Sequence, residues 1–219
     1  MKDDNWDLIN GPIAHEIEVL NYSNQINNIE CIVKLLTHQG KEQATDVFPS
    51  EMALKELHRT GTIFLLQHPG YYRDVEVHVG NEKVIVHQPP PCSKIQMHIT
   101  DFFETLGKLW PNSTPLELAS YALWRINWIH PFKNGNGRCA RAFAYTCLCL
   151  KYGFMLPGNR TIIDLIMVNK ITFQNCLKEA DTAYESNGEI NISSMIKFLE
   201  ELLILQLKSS VETEKYEEA

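Results

Sequence analysis

No run of apolar residues in this 219-residue chain is long enough to cross a bilayer. The longest, such as Ala142 to Leu150, fall far short of the roughly 20 residues a membrane-spanning helix needs, so no membrane partner is expected. An excess of positive charge is also missing. Twenty Lys and Arg against 27 Asp and Glu leave a net charge of −7, which argues against a nucleic-acid partner, whose electrostatic footprint is basic. The six cysteines, Cys31, Cys92, Cys139, Cys147, Cys149 and Cys176, include no C-x-x-C pair, and they read as free thiols in a reducing compartment rather than metal ligands. The opening residues, Met-Lys-Asp-Asp-Asn-Trp, lack the apolar core of a secretory signal. The expected location is the cytoplasm, or a host cell reached without a classical signal peptide. There is no internal repeat and no low-complexity linker.

The chain is instead rich in helical period. Asn10-Gly11-Pro12 turns into a helix expected over about Ile13 to His38, with Gly40 marking its end. A second is expected from about Ser50 to Leu66, stopped by His68-Pro69-Gly70. The period then changes to two: Val75-Glu76-Val77-His78-Val79 alternates, Gly80-Asn81-Glu82 turns, and Lys83 to His87 returns. This predicts a single β-hairpin over 75–87, either a surface ribbon or an exposed edge that recruits another chain. Helices are expected over about Lys94 to Leu109 and again from Thr114, where Thr114, Pro115 and Glu117 spell a capping box. Cys139 to Lys151 is apolar nearly all round and reads as a central buried helix. Two or three helices follow, the last ending near Leu207, with a charged tail expected to be disordered. The expected fold class is all-α, a helical bundle around one buried helix, with one hairpin. Residues 1–49 are expected as a helical segment packing on or regulating a core domain at 50–207, with the tail at 208–219.

The chemistry concentrates in "HPFKNGNGRCAR", His130 to Arg141. His130 follows an apolar helix that Pro131 cannot continue, and an imidazole suits a general base near neutral pH. Gly135-Asn136-Gly137 lets successive backbone N–H groups turn inward as an anion nest at the start of the buried helix. Arg138 and Arg141 lie one turn apart on it and suit bidentate contacts to a polyphosphate. The alternative is a glycine turn with arginines paired to acidic neighbours.

These residues resemble the signature of the Fic family, H-x-F-x-[D/E]-G-N-G-R-x-x-R, which His130, Phe132, Gly135, Asn136, Gly137, Arg138 and Arg141 fit. "LHRTGTIFLLQHPGYYRDVEVHVG", "HQPPPCSKI", "CLKEADTAY" and "SSMIKFLEELL" are similar to the family's other segments, so the likeness covers roughly 50–207. It implies a protein adenylyltransferase, which moves AMP from ATP to a Ser, Thr or Tyr hydroxyl with His130 as base. Gly135, Asn136 and Gly137 would hold the α- and β-phosphates, Arg138 the β-phosphate region and Arg141 the γ-phosphate, and the hairpin flap would dock the target. Gly137 favours AMP transfer, because phosphotransferase relatives carry lysine there. One position departs from the pattern. Asn134 stands where the family has Asp or Glu on Mg²⁺, so Mg²⁺ binding is expected to be weakened, with activity retained. The alternative is a nucleotide- or protein-binding module with little or no catalysis. Relatives also carry an inhibitory [S/T]-x-x-x-E-[G/N] helix. Ser23 to Asn28 approaches it with Asn27 in place of Glu, and Ser210 to Lys215 has Glu214 but Lys215 after it. In relatives the Glu of that helix pairs with the motif's second arginine; if neither stretch works, an antitoxin-like partner would supply the carboxylate to Arg141.

Overall fold

The computed structural model describes residues 6–43, 47–81 and 84–217. Its elements run α1 (Pro12–Gln43), α2 (Glu51–Thr62), β1 (Val79–Asn81), β2 (Val84–His87), α3 (Ile95–Leu109), α4 (Pro115–Ile129), α5 (Asn136–Tyr152), α6 (Ile162–Val168), α7 (Lys170–Asn187) and α8 (Ser193–Glu217). The class is all-α with one small antiparallel hairpin, as expected. Among the described residues no helix is long and apolar enough to cross a membrane.

The bundle is organised around α5. Its buried residues include Cys139, Ala140, Ala142, Phe143, Ala144, Cys147 and Leu148, so small and large side chains alternate around the whole circumference. The small ones let neighbours approach, and α1, α2, α4 and α6 all pack on it. The most extensive contact is with α4. That helix begins where its sequence dictates: Thr114 Oγ1 accepts the Glu117 N–H at 3.2 Å, and Glu117 Oε2 accepts the Thr114 N–H at 2.7 Å. From Leu118 to Ile126 every residue of α4 is buried, and α3, α7 and α8 cover its other sides. All six cysteines are free thiols, four of them buried.

The boundaries depart from expectation where long-range packing decides. α1 does not stop near Gly40 but runs to Gln43; one glycine inside a helix costs only about 1 kcal/mol. α2 stops at Thr62 rather than Leu66, because Ile63 turns extended and Phe64 takes φ 65°. The turn buries Leu65 and Leu66 against Trp6 and Ala14 in a small second core. The tail expected to be disordered from residue 208 continues α8 as helix to Glu217.

The hairpin is shorter than its alternation suggests. Only Val79 to Asn81 pairs with Val84 to His87, with an irregularity between Val79 and Gly80. Residues 75–78 are not strand, because side chains claim their backbone. The Val75 carbonyl accepts from Arg73 Nη1, and the Val77 carbonyl from Gln88 Nε2. Glu82 and Lys83, part of the expected hairpin, lie outside the described residues. β2 leaves Val84, Ile85 and Val86 exposed and is moored at its end, where the His87 ring bonds the Trp128 carbonyl of α4 at 2.8 Å.

Candidate active site

α4 ends on His130, which adopts the left-handed conformation at φ 50° and ψ 58° while its N–H still bonds Ile126 O. Such a backbone costs a non-glycine residue about 1–3 kcal/mol and persists only where the surroundings over-determine it. Here the turn sets His130 between the end of α4 and the start of α5. Nδ1 lies 3.4 Å from Asn127 O. A carbonyl can only accept, so Nδ1 carries the hydrogen and Nε2 presents its lone pair. Burial, with His87 and Arg73 nearby, pushes the His130 pKa down to about 4, against the Asn127 bond, which raises it. The ring is neutral at neutral pH.

The loop after His130 is built rigidly. Phe132 is fully buried, and Asn136 clamps it at both ends: Oδ1 accepts the Phe132 N–H at 2.8 Å and Nδ2 donates to its carbonyl at 2.7 Å. The Asn136 side chain therefore closes the loop, and only its backbone faces the helix mouth. Gly135 caps α5 at φ 75° with no side-chain cap, leaving the first-turn N–H groups directed out of the helix. Nothing larger than glycine fits, because a Cβ there would stand 2.5 Å from Thr62 Cγ2. We expect Gly135→Ala to lower stability by about 2–4 kcal/mol through strain and overpacking and to abolish any anion binding. Urea unfolding and nucleotide titration read both.

Arg138 and Arg141 follow one turn apart on α5. Arg138 Nη1 donates to Gly61 O at 2.8 Å, Nη2 lies 3.5 Å from Glu18 Oε1, and the Trp6 ring covers its guanidinium at 5.2 Å. Trp6 Nε1 also donates to Glu18, and Asp7 pairs with Lys133. The N-terminal segment and α1 thus lie across the motif. Arg141 reaches back along α5, its Nη1 3.2 Å from where a Cβ of Gly137 would stand. Glu18 is thus an acidic group on the motif's first arginine. In the expected stretch Ser23 to Asn28, Gln25 is buried with Nε2 on Leu57 O, and Asn27 is exposed. That stretch is packing helix. Glu214 of the C-terminal candidate lies outside the described side chains.

Residues 48–148 match the profile of the Fic/DOC family. These residues form a Fic/DOC family domain. No curated protein matches it, but solved structures do. It is similar to a Fic family protein from Desulfovibrio desulfuricans, at 18% identity and TM-score 0.62 over 93% of this chain and 67% of that one. It is similar to a Fic domain-containing signaling protein from Bacteroides thetaiotaomicron, at 21% and 0.67 over 91% and 73%. It is also similar to the BepC effector protein of Bartonella tribocorum, solved with AMPPNP bound, at 15% and 0.54 over 89% and 88%. At these identities the likeness is one of fold.

This Fic domain offers a metal ion little of its own. Asn134 Oδ1 accepts the Gly135 N–H at 2.7 Å, and among the described residues no group of three or more His, Cys, Asp or Glu side chains could hold an ion. A hard cation that prefers several anionic oxygens in octahedral array does not fit this donor set as a resident cofactor.

His58 is a site residue that sequence reasoning missed. It is buried on α2 and stacks on Phe132 with centroids 3.6 Å apart. Its Nδ1 accepts the Gly70 N–H at 2.8 Å, so Nε2 donates to Asn134 O at 2.9 Å. Desolvation lowers its pKa to about 4. The unfolded chain, with histidine near 6.5, binds the extra proton first as pH falls. Stability is therefore complete above pH 6.5 and declines towards pH 4, by up to about 3 kcal/mol from His58. Urea midpoints at pH 7.5 and 4.5 should show this slope, and His58→Gln, which can make both bonds without titrating, should flatten it.

Proposed function

We propose that this Fic domain transfers AMP from ATP to a hydroxyl of a protein side chain. The observation that carries the reading is a neutral imidazole, its Nε2 lone pair available, on the turn that leads into the uncapped N-terminus of a buried helix whose first two turns bear two arginines. In this reading the triphosphate lies at the mouth of α5. Backbone N–H groups of Gly135, Asn136 and Gly137 face the α- and β-phosphates, Arg138 the β-phosphate region and Arg141 the γ-phosphate. His130 Nε2 takes the proton of the acceptor hydroxyl as its oxygen attacks the α-phosphorus. The bond from the α-phosphorus to the bridging oxygen breaks, and pyrophosphate leaves. Mg²⁺ arrives as part of the nucleotide substrate, with Asn134 adding at most a neutral oxygen.

The AMPPNP carried by BepC, a protein of the same fold, supports a nucleotide as substrate. The exposed edge of β2, with Val84 to Val86, suits an extended target segment added as a further strand. We place this activity in the cytoplasm or, after delivery, in a host cell; among the described residues no helix is long and apolar enough to cross a membrane. An antitoxin-like inhibitor, in this reading, would bring its carboxylate to Arg141, since Glu18 stands on Arg138.

A second reading, a nucleotide-binding module without turnover, draws on the neutral Asn134 and the bond that occupies its Oδ1. Incubation with α-labelled ATP, alone and with cell lysate, separates the two. Protein-bound label that disappears in His130→Ala supports transfer. Nucleotide binding with no label across divalent metals would sink it.

A further inference from the structure

We infer that Arg73, outside the motif, is a positioning residue that locks the base and the flap into one frame; the reading rests on the transfer reaction proposed above. Its side chain has no solvent exposure. A buried guanidinium must be satisfied on every edge, and the partners chosen here come from three separate segments. Nε donates to His130 O at 2.8 Å, Nη1 to Val75 O at 3.0 Å and Nη2 to Pro90 O at 2.6 Å. The Arg73 backbone N–H adds a bond to Pro131 O at 2.9 Å.

Two consecutive carbonyls of the catalytic turn, His130 and Pro131, are therefore held by one residue. That turn is the strained left-handed one, so its persistence depends on such anchors. The other two carbonyls are the roots of the flap. Val75 stands where the chain leaves towards β1, and Pro90 where it returns from β2. A planar fork with donors in fixed directions spans all three at once. A shift of the flap moves the peptide plane of His130 with it, so an acceptor hydroxyl presented along β2 and the imidazole that deprotonates it share a single reference. Glu76, the acid beside Arg73, is exposed and its Oε2 stands 3.6 Å from Nη1; the carbonyls rather than this carboxylate fix the fork.

The test is Arg73→Lys, which keeps the charge but gathers its donors on one nitrogen and cannot reach three carbonyls. Expected is a fall of about a hundredfold in kcat per folded molecule, the scale of a small misplacement of reacting groups, with ATP affinity within about twofold of wild type. Glu76→Gln, which leaves all three carbonyl bonds in place, should match wild type. Two readouts do not need turnover. In Arg73→Lys the ¹⁵N ring signals of His130 should shift, and the amides of Val84 to His87 should gain motion in ¹⁵N relaxation. If the wild type transfers no AMP, the proposed function fails and these spectra alone judge Arg73. Unchanged His130 and flap signals, or a loss of ATP affinity as large as the loss of kcat, would overturn the inference.

Discussion

His130→Ala should lower AMP transfer on the order of a thousandfold, as expected for loss of a positioned general base, while ATP affinity stays within about twofold. The ring's polar tie within the protein is the 3.4 Å contact with Asn127 O, so little of the loop depends on it. The left-handed backbone at this position tolerates asparagine better than alanine. His130→Asn is therefore the cleaner control for folding and should be as inactive. The pH profile is a sharper check. A free histidine would shut transfer down near pH 6.5 on the acid side. With the pKa held at about 4, the base stays competent far lower, and kcat/KM should hold level down to about pH 5 in protein that remains folded. An acid limb at 6.5 that vanishes with no change of fold would contradict the desolvated geometry.

Asn134→Asp should lower the Mg²⁺ concentration needed for half-maximal transfer by at least about tenfold, since one anionic oxygen in place of a neutral one is a large change for a hard cation. The substitution suits the loop. One aspartate oxygen can accept the Gly135 N–H as Asn134 Oδ1 now does at 2.7 Å, which leaves the second oxygen to meet the ion. His58 bonds the main-chain carbonyl of residue 134 and is indifferent to the change. Mg²⁺ titration of transfer, in wild type and variant side by side, measures the effect. Identical metal dependence would show that this position does not face the phosphates.

Much of this architecture was legible in the sequence because its signals are local. The capping box at Thr114, the all-round apolar surface of α5 and the break at Pro131 each follow from residues within a few positions of one another, and the structure places them as expected. The failures share one cause. The alternation at 75–79 satisfies a strand pattern, yet Arg73 and Gln88 take the carbonyls that a strand would pair. The end of α2 is set by a second core that includes Trp6, over fifty residues away in the chain. His58, Arg73 and Glu18 are likewise invisible to periodicity: each is placed by a partner distant in sequence, in Asn134, His130 and Arg138. The side-chain amide of Asn136 turns inward onto Phe132, a loop-closing role that only the folded loop reveals.

The Trp6–Glu18–Arg138 contact carries a thermodynamic obligation. A polyphosphate that draws the Arg138 guanidinium to itself must compete with a carboxylate and an indole already resting on it. Linkage runs both ways: whatever loosens residues 6–18 tightens anion capture, and a captured anion loosens residues 6–18 by the same factor. In the proposed reaction residues 6–18 would stand as a tethered competitor, whose local concentration does not change on dilution.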